Sequence, residues 1–198
     1  MKKIQITRHN NCYYEIDSLC ITFQALAIAF EYSKHGTINF SEGDYMTIDG
    51  IGTKQSISIP ISGPIETALQ NKKPDIIELQ IKETDSFIGG DIYVHVIKHV
   101  FNFIIAPLIV SFYENNFAKA RAKFGSDFST WKSSWQMGWV TRNALSHNKC
   151  IFFKNLAHNP ITWNNVSISP ANQNTPLENL LNPADLLILL VEMDQDIF

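Results

Sequence analysis

The 198-residue chain has little cysteine, little net charge and no long apolar run, and each shortage removes a class of function. Its three cysteines, Cys12, Cys20 and Cys150, are odd in number and form no C-x-x-C pair, which excludes a disulfide framework, a zinc knuckle and a dithiol redox site. Reduced thiols in a cytosol are the reading that remains. A formal net charge of −3 excludes broad, nonspecific attraction to nucleic acid, leaving room only for a local RNA site. Residues 92–113 are apolar but carry His95, Lys98, His99, Asn102 and Pro107, so they read as a buried helix and not as a membrane span. After Met1, Lys2 and Lys3 the chain meets Arg8, His9, Asn10 and Asn11 where a signal peptide needs an apolar core, so a cytoplasmic protein is expected.

Other shortages concern chemistry. Gly-rich phosphate loops and a G-x-S-x-G elbow are missing. His95 and His99 have i, i+4 spacing, but no Glu lies between them and no third ligand is evident. Asp185, Glu192, Asp194 and Asp196 line or follow the last helix without a second carboxylate cluster, and His158 reads as a surface loop residue. No metal and no cofactor are therefore expected.

What is present supports one domain over residues 1–198, with 45% hydrophobic residues to fill its core. Apolar spacing predicts a helix over about 17–34, with Asp17 or Ser18 as N-cap and Gly36 as its stop. Over 37–63 the period changes. Ile57, Ile59 and Ile61 alternate with polar residues, Asp49-Gly50 offers a turn after Tyr45-Met46-Thr47-Ile48, and Pro60 suits an edge strand. This segment reads as a small strand or hairpin insertion in a mainly α protein. Residues 64–71 suit a short helix, and 75–82 fit strand or helix.

Gly89-Gly90 introduces a helical stretch over about 91–124, in which Pro107 should kink or break the helix near Ala106. A further helix is expected over about 127–148. Ile161-Thr162-Trp163 and Val166-Ser167-Ile168 flank Asn164-Asn165 as a hairpin, and a last helix opens at Asn182-Pro183.

The helix over 127–148 holds residues four apart that touch in sequence order: Trp131, Trp135, Trp139, Asn143 and His147. At about 100° per residue, Met137, Val140, Thr141 and Ala144 make a small apolar side suited to a core. Trp135, Trp139, Arg142, Asn143 and Ser146 fall opposite, where another helix or another subunit must cover them. Arg142 and His147 diverge by about 140° and about 7.5 Å of rise. For both to act on one phosphate the helix frays at its end, the arginine arm bends round, or the pair is completed across a dimer.

Arg142-Asn143-Ala144-Leu145-Ser146-His147, near a helix end, resembles the motif of HEPN-type ribonucleases (higher eukaryotes and prokaryotes nucleotide-binding). The stretch with Trp163, Pro170-Ala171 and Ala184-Asp185-Leu186 is also similar to bacterial HEPN-like proteins. The resemblance implies an antiparallel helical bundle and a metal-independent endoribonuclease of toxin or phage-defence type. It further implies an RNA substrate, a homodimer, formed here through the Trp135/Trp139/Arg142 face, and an antitoxin as a candidate partner.

The side chains suit that chemistry. A histidine can take the 2′-hydroxyl proton or protonate the leaving oxygen, which makes His147 the candidate acid or base. Arg142 would meet the charge of the phosphorane-like transition state with two parallel hydrogen bonds. Asn143 would orient the imidazole or donate to phosphate, while Ser146 and Lys149 would bind substrate. Lys149 stands where some family members carry a tyrosine that a partner antitoxin modifies, so regulation by that route does not transfer. The alternative reading is a noncatalytic HEPN-like module that binds RNA, a nucleotide or a protein. In a purely structural role, Arg142 and His147 would instead cap the helix against loop carbonyls from 149–156.

Overall fold

The computed structural model describes residues 2–35, 45–60, 67–68, 70, 72–84, 92–155 and 159–198, with side chains for all of these except 27, 29–35 and 92–103. Gly36, Ile61, Gly63, Gly89, Gly90, His158, residues 37–44, most of the short helix expected over 64–71, and the side chains of His95 and His99 lie outside the described residues.

The described elements mix α and β, which corrects the mainly α bundle expected from the sequence. In chain order they are β1 (Lys2–Thr7), α1 (Tyr13–His35), β2 (Tyr45–Asp49), β3 (Gln55–Pro60), β4 (Ile76–Glu83), α2 (Ile92–Phe124), α3 (Ser133–Ser146), β5 (Ile161–Trp163), β6 (Val166–Ile168) and α4 (Pro183–Ile197). They divide into two compact units, one of Met1–Ile48 with Ser56–Glu83 and one of Asp49–Gln55 with Thr84–Phe198.

The first unit is built on a four-stranded antiparallel sheet in the order β1-β4-β3-β2. The strands are not an insertion confined to 37–63. β1, at the start of the chain, pairs with β4 from Lys2 opposite Ile81 to Thr7 opposite Ile76. The two-residue period explains why: Ile77, Leu79 and Ile81 of β4 are buried, as are Ile4 and Ile6 of β1, while the residues between them are not. The segment 75–82, which fitted strand or helix, is therefore strand, with bounds Ile76–Glu83. β3 lies inside the sheet and not at its edge, and Pro60 is accommodated as its last residue, where the missing N–H interrupts no interior rung. Its carbonyl accepts from Nε2 of buried Gln24 at 3.1 Å. α1 packs on β1 and buries Tyr13, Ile16, Leu19, Cys20 and Phe23 at helical spacing. It begins at Tyr13, so Asp17 is a buried residue within the helix and not its cap.

The second unit gathers α2, α3 and the β5–β6 hairpin around α4. α2 runs through Pro107 as one helix, so of the kink or break expected near Ala106 the break does not occur. α3 is shorter than the helix expected over 127–148, because a 3₁₀ turn at Phe128–Thr130, capped by Asp127, precedes it. The β5–β6 hairpin forms where expected, with Asn164 in the left-handed region at φ 48°. α4 opens where expected too, with Asn182 accepting from the Ala184 and Asp185 amides and Pro183 at its first turn. α4 is the centre of this unit: every residue from Pro183 to Val191 is buried. α3 approaches it closely at Gly138, where an added Cβ would overlap Sδ of Met193.

The N-terminus of α4 carries a fully buried carboxylate, Asp185. Its Oδ1 accepts from the Thr53 amide at 2.9 Å and the Thr53 hydroxyl at 2.7 Å. Its Oδ2 accepts from the amides of Ile51 (3.1 Å), Gly52 (3.1 Å) and Asn182 (2.9 Å). Asn182 adds a bond from Nδ2 to the Asp49 carbonyl at 2.7 Å, and Asn165 Nδ2 donates to the Thr53 carbonyl at 2.9 Å. The loop 49–55 can press this close because position 52 has no side chain, and a Cβ there would stand 2.6 Å from the Leu180 carbonyl oxygen. Buried charge, helix N-terminus and five donors satisfy one another, so this carboxylate is an architectural part.

Candidate functional site

α3 delivers the Arg-Asn-x-x-x-His motif, and the aromatic residues before it fix where that motif stands. Met137, Val140, Thr141 and Ala144 are fully buried, as the wheel requires. Trp135 on the opposite side is also 0% exposed. Its ring packs on Phe112 and Tyr113 of α2, and its indole N–H donates to the Met193 carbonyl at 2.9 Å. The large aromatic face of α3 is thus covered at Trp135 by the chain's own helices, leaving only the half-buried Trp139 and Arg142 of the expected dimer face accessible. Trp139 lies against Phe128 and Phe153 at centroid separations of 5.3 Å and 6.1 Å.

Arg142 leaves the helix toward α2. Nε and Nη2 both engage one carboxylate oxygen of Glu114, and Nη1 donates to Oδ1 of Asn143 at 3.1 Å. The Arg142 side chain is 34% exposed and that of Glu114 47%, so the ion pair faces solvent. Below it, the buried hydroxyls of Tyr113 and Thr141 have no hydrogen-bond partner among the described residues. Burial raises the Tyr113 hydroxyl well above its ordinary pKa, and nearby Arg142 draws it back only in part.

His147 has left the helix. α3 ends at Ser146, and His147 has φ −123° and ψ 68° with its amide donating to the Ala144 carbonyl at 3.0 Å. The helix thus ends one residue before His147, short of the end near Asn148 expected from the sequence. Its exposed ring lies against exposed Phe152, with the ring centroids 4.9 Å apart and the planes tilted by 38°. Ser146 and Lys149 are exposed as well. Arg142 and Asn143 are brought together, but among the described residues no hydrogen bond or ion pair joins His147 to either of them. Among the described residues, neither the Arg142 nor the His147 side chain donates to a loop carbonyl.

After His147 the chain turns sharply, with Asn148 at φ 55° and Lys149 at φ 60°. Lysine rarely takes this left-handed conformation. It is held here because the Lys149 carbonyl accepts the Leu177 amide at 2.8 Å, the Ile151 amide donates to the Thr175 carbonyl at 2.8 Å, and Cys150 bridges to Pro176. Among the described residues, no three His, Cys, Asp or Glu side chains gather as a metal-ligand set.

Reading from sequence missed Glu114, whose acidic charge lies 28 residues before its arginine and carries no spacing signal. It also missed Phe152, although an aromatic five residues past a helix-end histidine was visible. No helix among the described residues is long and apolar enough to cross a membrane. No family model, no curated protein and no solved structure matches this chain.

Proposed function

We propose that the chain is a metal-independent endoribonuclease of the cytoplasm, acting at the end of α3 through a HEPN-type motif set on a mixed α/β fold. The observation that carries this reading is that His147 stands outside the helix, exposed, while Arg142 on the preceding turn has a side chain 34% exposed. His147 acts as the acid or base toward the 2′-hydroxyl and the leaving oxygen. Arg142 meets the charge that develops on phosphorus-bound oxygens, exchanging Glu114 for phosphate. Asn143, already bonded to Arg142, positions the guanidinium, and Ser146 and Lys149 contact the RNA backbone. A second copy of the chain would dock through Trp139 and Arg142, without Trp135. An antitoxin partner remains part of the same proposal.

The chemistry predicts its own products. Attack by the 2′-oxygen on the adjacent phosphorus breaks the bond to the 5′-oxygen, leaving a 2′,3′-cyclic phosphate and a 5′-hydroxyl. Incubation of the purified chain with single-stranded and hairpin RNA in chelator should give those ends, and an RNA with 2′-deoxy residues should resist. Cleavage that continues past 2′-deoxy positions would rule out this route.

A second reading is favoured by the Glu114 pair. A guanidinium neutralised by a carboxylate suits a noncatalytic module that binds RNA, a nucleotide or a protein and exchanges that carboxylate for its ligand. RNA affinity without any cleavage is the result that would select it.

A further inference from the structure

Beyond the end of α3 the chain presents a phenylalanine where its own pattern calls for a polar side chain. Ile151 and Phe153 are buried at 0% and 2% exposure, while Phe152 between them and Lys154 after them are exposed. Such an alternation turns every second residue to water. Lys154 fits that place, and Phe152, 38% exposed, does not. We propose that the Phe152 ring is a platform on which an unpaired nucleobase stacks, whichever base it is. The inference rests on the RNA-directed reading of the same helix end and deepens it, because it makes single-stranded RNA the substrate class.

A single exposed apolar residue is ordinary on a protein surface, so the argument lies in what surrounds this one. The backbone that presents the ring is fixed on both sides. The Ile151 amide donates to the Thr175 carbonyl at 2.8 Å, and the Ile151 carbonyl accepts from the Asn174 amide at 2.9 Å. The Phe153 amide donates to Oε1 of Gln173 at 2.8 Å. With its two neighbours seated in the core and bonded there, Phe152 is ordered before a ligand arrives, which lowers the cost of binding. The ring also lies against His147, so the platform adjoins the side chain assigned to proton transfer. A base resting on Phe152 brings its own ribose and phosphate to that imidazole.

Charge selects the occupant. Lys149 and Lys154 flank Phe152 in the chain, both are exposed, and neither joins an ion pair among the described residues. A flat apolar ring between free cations suits a ligand that is aromatic and anionic at every residue, as a nucleotide strand is. Stacking reads no hydrogen-bond pattern, and every base has a π-face, so the platform accepts any base. What it rejects is a base whose faces are already covered by its neighbours in a paired helix.

The test is a cycle of dissociation constants, read by fluorescence anisotropy at fixed salt with 2′-O-methyl oligonucleotides, whose blocked 2′-oxygen prevents cleavage. One strand carries bases, and a second has the same backbone with every base removed. Phe152→Leu should weaken binding of the base-bearing strand at least about fivefold and of the abasic strand less than about twofold. The loss should appear with adenine and with uracil strands alike, stay below about twofold for a paired duplex, and be reversed by Phe152→Trp. Equal losses on base-bearing and abasic strands would mean that Phe152 only shapes the site around His147, and would overturn the proposal. No loss on either strand would overturn it too. Because the readout needs no turnover, a base-dependent loss in a chain that cleaves no RNA would uphold the platform and sink the ribonuclease reading. RNA cleavage by the parent, with equal affinities for parent and Phe152→Leu, would do the reverse.

Discussion

Two charged side chains in the second unit stand near helix ends, and they are held in opposite ways. Asp185, at the start of α4, is fully buried and takes five donors from four residues. Arg142, near the end of α3, is one-third exposed and leans on a single carboxylate and a neighbouring amide. A buried charge with every lone pair engaged has no capacity left for a ligand, and losing it strands its partners. A solvent-facing ion pair contributes only about 0–1 kcal/mol and can be exchanged for another anion at little cost. The contrast separates a residue that builds the fold from one that is free to do chemistry, although both are single charges on helices.

The largest effect on stability should come from the buried member. Asp185→Ala leaves the amides of Ile51, Gly52, Thr53 and Asn182 and the Thr53 hydroxyl without their acceptor. Urea unfolding should show a loss of about 3 kcal/mol or more. A loss below about 1 kcal/mol would mean that loop 49–55 is not held by this carboxylate.

The exposed member should respond in affinity and hardly in stability. Glu114→Gln removes the charge that occupies Arg142, so RNA binding measured by fluorescence anisotropy at fixed salt should tighten by up to about fivefold. Unfolding stability should change by less than about 0.5 kcal/mol. Weaker binding in this variant would make Glu114 a contributor to the site and not its competitor.

How much of this was legible in the sequence follows the range of the interactions. Asn182-Pro183, the Asn164-Asn165 turn and the apolar side of α3 are local signals, and each element they announce is present. The sheet depends on β1 meeting β4 some seventy positions later, and that pairing has no local mark beyond the alternation Ile77, Leu79, Ile81. Helical periodicity placed Trp135 correctly on the face opposite Met137, but a wheel cannot say whether a face meets another helix of the same chain or another subunit. Asp185 was read as one of several scattered carboxylates, because four of its five donors sit on a loop more than 130 residues earlier. The motif residues were legible as a string. Their surroundings, Glu114 above all, were not.

The smallest effect concerns pH and the first unit. Burial holds the Asp17 carboxyl above its ordinary range, opposed by the charges of Lys73 and Arg8, and its buried Oδ1 has no hydrogen-bond partner among the described residues. The folded chain therefore keeps this proton more tightly than the unfolded chain. Stability falls as pH rises from the unfolded value, about 4, through the raised folded value, and the loss persists above it. Asp17→Asn should be more stable than the parent at pH 7, with the advantage shrinking as the pH is lowered through that window. Thermal midpoints across the range test this, and a variant less stable at pH 7 would show that the charged form is favoured where it sits.

In the proposed function, the exposed end of α3 performs the chemistry while the buried frame only holds it. The most direct measurement is the single-turnover cleavage rate of RNA in chelator for the parent, His147→Ala and Arg142→Ala, with the thermal midpoint of each protein recorded alongside. Each substitution should slow cleavage by roughly 100- to 10,000-fold with the midpoint unchanged. Equal rates for all three proteins would contradict it.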